Sequence, residues 1–140
     1  MRGEVNRVFF DTNVIVYAHD NSSPEKRDKA RKLLAQALTD GSGVLSAQVL
    51  GETFISLTKK LGVEEDSAAD EILQLSAYRI VEVSSDLVLR ALEIKANFQM
   101  SYWDALIVAA AEHAGCGTLF SEDLNDGQCY GTVTVKNPFS

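Results

Sequence analysis

The amino-acid sequence predicts an α/β fold, a doubly wound sheet of about five mainly parallel strands with helices on both faces. Short β-branched or aromatic runs alternate along the chain with segments of helical periodicity, which is typical of parallel sheets covered on both sides. The chain has 140 residues, of which 46% are hydrophobic and 24% charged, as in an ordinary globular domain. We therefore expect residues 1–140 to form a single domain.

Five runs rich in Val, Ile, Thr, Tyr or Phe predict the strands. They cover residues 5–10, 43–45, 79–83 and 118–120, with residues 132–135 as a weaker fifth.

Apolar residues at helical spacing predict the helices between these runs. The first follows Ser23, with Pro24 in its first turn and Gly41 as its stop. The second ends before Gly62 and carries an apolar stripe made of Leu50, Phe54, Leu57 and Leu61. Further helices are predicted over residues 68–75, 87–98 and 101–114, the last apolar all round and therefore buried.

Composition and charge exclude several classes of protein. The longest apolar run covers seven residues, 105–111, far short of the roughly 20 that span a membrane. A net charge of -7 argues against a protein that coats nucleic acid through bulk positive charge. Cys116 and Cys129 are too few for a disulfide framework. Asp11 and Asn13 interrupt the N-terminal apolar stretch, so a secretory signal is not expected. These features predict a cytoplasmic protein.

Four acidic residues are expected at one edge of the sheet. Asp11 directly follows the run VFF and Asp123 comes shortly after TLF, and open α/β sheets bind ligands beyond the carboxyl ends of their strands. Glu52 falls nearly opposite the apolar stripe of its helix, at about 100° per residue. Asp104 stands at the head of an apolar helix face, where an acid needs a partner.

Each acid also has a purely structural interpretation. Asp11 is suited to a turn or a helix N-cap, and Glu52 to a solvated helix face. Asp104 stands three residues after Ser101, the spacing of a capping box. Asp123 is suited to a solvated loop, and its surroundings lack the spacing of an EF-hand.

The combination of acids favours a metal site. Four carboxylates at one edge repel each other unless a cation holds them. Oxygen ligands without nearby Cys or His favour Mg²⁺ or Mn²⁺ over zinc. One or two such ions would activate water against a phosphodiester, so the acids predict a phosphodiesterase.

The strings FFDTNVIVYA, SAQVLGE, SYWDALIVAAA and TLFSEDL, in this order and spacing, resemble the PIN domain, especially its VapC toxin branch. The resemblance runs from Val8 to about Gly127. It implies a metal-dependent endoribonuclease that forms a homodimer and is neutralised by a small antitoxin. On this resemblance the protein would be the toxin of a toxin-antitoxin pair.

The resemblance also assigns roles to individual residues. Asp11, Glu52, Asp104 and Asp123 match the first to fourth acids of the family's metal site, in that order. Thr12 and Asn13 match the polar pair that orients the carboxylates, and Ser121 matches the Ser or Thr two residues before the fourth acid. Asp126 has no firm counterpart and is expected to be a surface residue.

Two further features bear on an RNA substrate. Basic residues cluster on two predicted helices, and they form either a positive rim or an ordinary solvated face, which is the commoner use. They are Lys26, Arg27, Lys29, Arg31 and Lys32 on the first, and Lys59 and Lys60 on the second. Tyr102 and Trp103 have the chemistry to stack an unpaired base, although core packing is the commoner use of such residues.

Two other functions remain open from the residues. One is a non-catalytic PIN-like scaffold that binds RNA or protein, which the intact acids disfavour. The other is a phosphoacceptor, either a receiver domain or an aspartyl-phosphatase, which is disfavoured because Asn13 stands where the phosphatase motif D-x-D has its second acid.

Overall fold

The computed structural model describes residues 6–140, which form one six-stranded sheet and six helices. The strands are β1 Val8–Phe10, β2 Gly43–Ser46, β3 Arg79–Val81, β4 Thr118–Phe120, β5 Cys129–Tyr130 and β6 Val133–Lys136. The helices are α1 Thr12–Tyr17, α2 Pro24–Asp40, α3 Ala47–Lys59, α4 Glu65–Leu75, α5 Ser85–Phe98 and α6 Tyr102–His113.

The strand order β3-β2-β1-β4-β6-β5 places β1 and β4 at the centre of the sheet. The neighbouring pairs are parallel except β5 with β6. The chain builds outward from β1 through β2 to β3 and then returns to the other side of β1 to form β4. The direction of winding therefore reverses between β1 and β4, and at such a switch point a crevice opens beyond the strand ends.

The predicted α/β class is confirmed, and β4 has the predicted bounds. The predicted first strand began at Val5, which lies outside the described residues, and the third ends at Val81 rather than at residue 83. The sequence did not predict α1 or β5. Helix α1 has six residues and β5 has two, so both are too short to show a periodic pattern.

Helix α6 is surrounded by the core, as its sequence predicts. Every residue from Ala105 to Ala111 is buried, and the helix packs against α5 and the sheet. The sheet contributes Phe9, Phe10 and Leu119, all fully buried. Burial of each such side chain contributes roughly 1.5–3 kcal/mol to the stability of the fold. The packing of α6 on the sheet therefore holds in place the strand ends that carry the site.

Helix α3 is rotated relative to the prediction. Its buried residues are Val49, Thr53 and Leu57, whereas Leu50 and Phe54 of the predicted stripe are only half-buried. The helix packs against α1 and α4 as well as against the sheet. Residues of α3 that lie between these contacts, among them Glu52, line a cleft.

No helix of residues 6–140 combines the length and the apolar character needed to cross a membrane.

Candidate active site

A cleft of about 1060 Å³ opens at the carboxyl edge of the sheet, beside β1 and β4. Its walls come from α1, α3, α4, the start of α6 and the segment after β4. The acids that line it are Asp11, Asp20, Glu52, Asp104, Glu122 and Asp123. The fold thus brings all four acids singled out from the sequence to one cavity, although they are spread over more than a hundred residues of chain.

Asp11 lies directly beyond β1 and is only 7% exposed. Its Oδ1 accepts a hydrogen bond of 2.8 Å from the backbone N–H of Thr12, so it caps α1. Its Oδ2 accepts bonds of 2.8 Å from the Ser121 hydroxyl and 3.2 Å from the Asn13 amide. The N-cap interpretation is therefore confirmed, and the same carboxylate also lines the cleft.

The surroundings of Asp11 raise its pKa from 3.8 to about 6. Burial is the main cause, because it penalises the charged form. The bonds from Ser121 and Thr12 lower the pKa, and the nearby negative charges of Asp123 and Glu52 raise it. The carboxylate therefore lies among like charges.

Glu52 is half-buried and faces the cleft from α3. The Thr12 hydroxyl donates to its Oε1 over 2.7 Å, and the Gln48 amide donates to its Oε2 over 3.1 Å. The interpretation as a solvated helix residue is therefore wrong, because the rotation of α3 turns this residue toward α1.

Asp123 is exposed and is held by Asn13. The Asn13 amide donates to Asp123 Oδ2 over 3.1 Å, and its carbonyl oxygen accepts the backbone N–H of Glu122 over 3.1 Å. Because the same amide also donates to Asp11, Asn13 joins the acids that follow β1 and β4.

Asp104 is the third residue of α6 and is half-buried in the cleft wall. Its backbone N–H donates to the Ser101 hydroxyl over 3.1 Å, which confirms the predicted N-cap. Ile107, one turn later, lines the same cleft. Ser101 is therefore the cap of α6 and Asp104 donates to it through the backbone, whereas at Asp11 the capping side chain itself lines the cleft.

Two cleft acids, Asp20 and Glu122, were not found by sequence reasoning. The Glu122 carboxylate accepts bonds from Lys26 at 2.5 Å and from the Tyr17 hydroxyl at 2.8 Å. The only sequence signal for Glu122 is its place between Ser121 and Asp123. Asp126 lies outside the cleft, where its carboxylate accepts the backbone N–H of Asn137 over 2.8 Å.

Most of the clustered basic residues do not line the cleft, in agreement with the solvated-face interpretation. Lys26 is paired with Glu122, Arg27 with Asp28, and Arg31 donates to a backbone carbonyl. Among residues 6–140, Lys60 is the one basic residue that lines the cavity. Helix α2 therefore mainly presents the solvated face that its mixed charges favour.

The adjacent aromatic residues on α6 differ in environment. Tyr102 is half-buried against the core, as expected. Trp103 is 61% exposed, so the expectation that it packs in the core is wrong.

The donor set of the cleft fits a hard divalent cation by its chemistry. Within residues 6–140 its lining offers carboxylate oxygens and no Cys or His, which suits Mg²⁺ or Mn²⁺. The like charges around Asp11 are those that a cation would balance. As the side chains of residues 6–140 stand, no three of the acidic, His or Cys groups lie close enough to hold one ion. A bound ion would therefore draw the carboxylates closer together.

Solved structures similar to the chain include one toxin and two complexes. The VapC20 toxin of Mycobacterium tuberculosis, which cleaves the sarcin-ricin loop, is 26% identical over 83% of this chain and 91% of its own, with a TM-score of 0.67. A toxin-antitoxin complex from Klebsiella pneumoniae is similar in fold, at 20% identity over 94% and 97% of the two chains and a TM-score of 0.69. DNA-bound VapBC from Salmonella typhimurium has 13% identity over 96% and 99%, with a TM-score of 0.71.

No curated protein matches the chain significantly by sequence. The PIN domain family model, in contrast, matches residues 8–125. This range includes β1 to β4, the six helices of the described chain and all four acids expected at the edge of the sheet. The chain therefore belongs to the PIN domain family.

Proposed function

We propose that the protein is a Mg²⁺- or Mn²⁺-dependent endoribonuclease that hydrolyses RNA phosphodiester bonds and acts as the toxin of a toxin-antitoxin pair. The observation that carries the proposal is the convergence of Asp11, Glu52, Asp104 and Asp123 on one cleft at the switch point of a PIN fold. The 26% identity to a toxin that cleaves the sarcin-ricin loop supports the substrate class.

In this proposal the carboxylates of Asp11, Glu52, Asp104 and Asp123 would hold the divalent ion. A divalent ion supplies Lewis acidity to the phosphodiester and lowers the pKa of the attacking water.

The residues around the acids set the geometry before substrate arrives. Thr12 holds Asp11 with its backbone N–H and Glu52 with its hydroxyl. Asn13 holds Asp11 and Asp123 with one amide group. These donors restrict the positions of the carboxylates before an ion draws them closer together, which is what supporting residues contribute in metal sites. Their bonds to Asp11 also favour its charged form against the effect of burial.

The proposed partners are a small cognate antitoxin and a second copy of the chain. Two of the similar structures are toxin-antitoxin complexes, one from Klebsiella pneumoniae and one from Salmonella typhimurium. Large apolar side chains are exposed on α3, α4 and α5, namely Ile55, Leu73, Leu89 and Leu92, and such side chains are the usual material of protein interfaces. An RNA substrate is consistent with a cytoplasmic location.

The direct test is cleavage of mixed cellular RNA by the purified protein, with Mg²⁺ or Mn²⁺ and with EDTA. The wild type should produce discrete fragments that disappear in EDTA. Asp104→Asn should lower the rate by more than about 100-fold, beyond the loss typical of residues that only support a ligand. Asp70→Asn is the matched control, because Asp70 is an exposed acid on α4 that does not line the cleft.

Folding of each variant is checked by circular dichroism, and Mg²⁺ binding by calorimetric titration. If folded Asp104→Asn cuts as well as the wild type, the acids are not the catalytic groups. If the wild type neither cuts RNA nor binds Mg²⁺, the result favours a non-catalytic scaffold.

A further inference from the structure

Trp103 is a large aromatic side chain that the fold leaves in solvent beside the candidate site. It is 61% exposed, although the buried run Ala105–Ala111 begins only two residues later. It lies in the first turn of α6, which begins beyond the carboxyl edge of the sheet. The core that surrounds the rest of the helix therefore does not cover it.

The indole lies between two cavities. One is the acidic cleft, and the other is a groove of about 680 Å³ lined by Ala47, Val83, Tyr102 and Leu106 on its apolar side. Gln48, Gly51, Glu52 and Trp103 line both cavities. A strand of substrate with its phosphate at the carboxylates would thus have a neighbouring base within reach of the indole and the groove.

Two contacts hold Trp103 in this position. Its ring meets the Tyr102 ring edge to face, with centroids 5.0 Å apart and planes at 72°. Its backbone carbonyl accepts a 3.1 Å bond from the Gln48 amide, which also donates to Glu52. Trp103 is therefore connected to the Glu52 carboxylate through the Gln48 side chain.

On the basis of the proposed function, we propose that Trp103 is the stacking platform for an unpaired base of the RNA, next to the phosphodiester that is cut at the carboxylates. Stacking suits this site because the cleft is acidic and Lys60 is its one basic lining residue within residues 6–140, so charge contributes little to holding RNA. An aromatic face attracts a base of any sequence. Recognition of unpaired bases by stacking is the usual way in which proteins read single-stranded RNA.

Phe98 shows that exposure alone does not make such a platform. It is 40% exposed, but its ring packs against Tyr130 and it lines neither cavity. Trp103 alone among the exposed aromatic residues of the described chain combines exposure with a place at the cleft.

The chain contains one tryptophan, so its fluorescence reports on Trp103 alone. Wild-type protein in Mg²⁺ is mixed rapidly with a short single-stranded RNA of mixed sequence, and fluorescence is followed before cleaved product appears. A backbone of the same length without bases is the control ligand. We expect saturable quenching by the RNA and none by the abasic strand. Equal responses to the two ligands would overturn the proposal.

Steady-state cleavage provides a second readout. Trp103→Ala should raise KM about 5- to 150-fold, the range expected for the loss of one stacked base, with little change in kcat. Trp103→Phe should recover most of the loss. Leu38→Ala is the matched control, because Leu38 is also an exposed apolar residue, at 46%, but lines neither cavity.

Light scattering separates this proposal from an interface between copies of the chain. If Trp103→Ala reduces the mass from two chains to one and leaves KM unchanged, the indole belongs to a dimer interface and the proposal is overturned. Quenching needs no cleavage, so the proposed function and the stacking proposal fail separately. A wild type that cuts no RNA contradicts the first, whereas active protein with an unresponsive Trp103 contradicts only the second.

Discussion

The hydroxyl of Ser121 donates to the Asp11 carboxylate over 2.8 Å, and both residues are buried. The same hydroxyl oxygen accepts the backbone N–H groups of Asp123 and Leu124, at 3.2 and 3.3 Å. One side chain thus fixes the segment after β4 to the acid after β1. The parallel pairing of β1 and β4 brings the ends of these strands together. The bonds of Ser121 then set the position of Asp123 relative to Asp11.

Replacement of this hydroxyl should weaken the proposed metal site. We expect Ser121→Ala to lower Mg²⁺ affinity or activity about 10- to 100-fold, as is typical when a residue that supports a ligand is lost. Ser121→Thr keeps the hydroxyl and should recover part of the loss. Calorimetric titration with Mg²⁺ measures the effect. Ser84→Ala is the control, because Ser84 also caps a backbone N–H but lies at the start of α5. Equal affinities for Ser121→Ala and the wild type would contradict the prediction.

The pKa of Asp11 should make the metal-free protein less stable as the pH rises. The pKa of about 6 in the folded state lies above the ordinary 3.8. The contribution of Asp11 to the free energy of unfolding is therefore fully present below pH 3.8 and is lost as the pH rises through 6. The total is about 3 kcal/mol at most. Asn carries no charge, so Asp11→Asn should gain stability relative to the wild type between pH 4 and pH 8.

Urea unfolding in EDTA at the two pH values measures this difference, and lost hydrogen bonds cancel in the comparison. A difference that is the same at pH 4 and pH 8 would show that Asp11 titrates normally. Addition of Mg²⁺ should stabilise the wild type more than Asp11→Asn, because binding to the folded state adds to its stability.

Lys60 should contribute to RNA binding more than its neighbour Lys59. Both are exposed at the end of α3, but only Lys60 lines the cleft. We expect Lys60→Ala to raise KM severalfold and to reduce the salt dependence of binding by about one phosphate contact. Lys59→Ala should change neither. Fluorescence titration with RNA at several salt concentrations measures the slopes, and identical slopes for the two variants would remove Lys60 from the interface.

The ion pair between Arg90 and Glu112 should stabilise the contact of α5 with α6. Two bonds of 2.7 and 2.9 Å join the groups and lower the pKa of Glu112. The stabilisation is present above the ordinary glutamate value of 4.5 and is lost as the pH falls through the lowered pKa. Because Arg90 is partly exposed, Glu112→Gln should cost only about 1 kcal/mol at pH 7.

The control for this pair is Glu93→Gln, since Glu93 meets Arg90 at 3.6 Å and is largely exposed. Its effect on urea unfolding should not exceed a few tenths of a kcal/mol, or about 0.3. If both variants lose the same stability at pH 7, the shorter contact has no special role.

The sequence alone determined which residues end the central strands and therefore which acids meet. Asp11 and Asp123 follow apolar runs, and parallel strands bring their carboxyl ends to one edge whatever the details of packing. The caps at Asp11 and Ser101 also follow from sequence, because capping depends on neighbours within one turn.

Only the tertiary structure decided which side chains turn into the cleft. The apolar residues of α3 fit more than one rotation, and its contacts with α1 and α4 select the one that turns Glu52 toward Thr12. The exposure of Trp103 and the place of Glu122 in the cleft also depend on where one element ends against another. Periodicity reports how apolar a helix face is, whereas the direction that this face takes depends on residues far away along the chain.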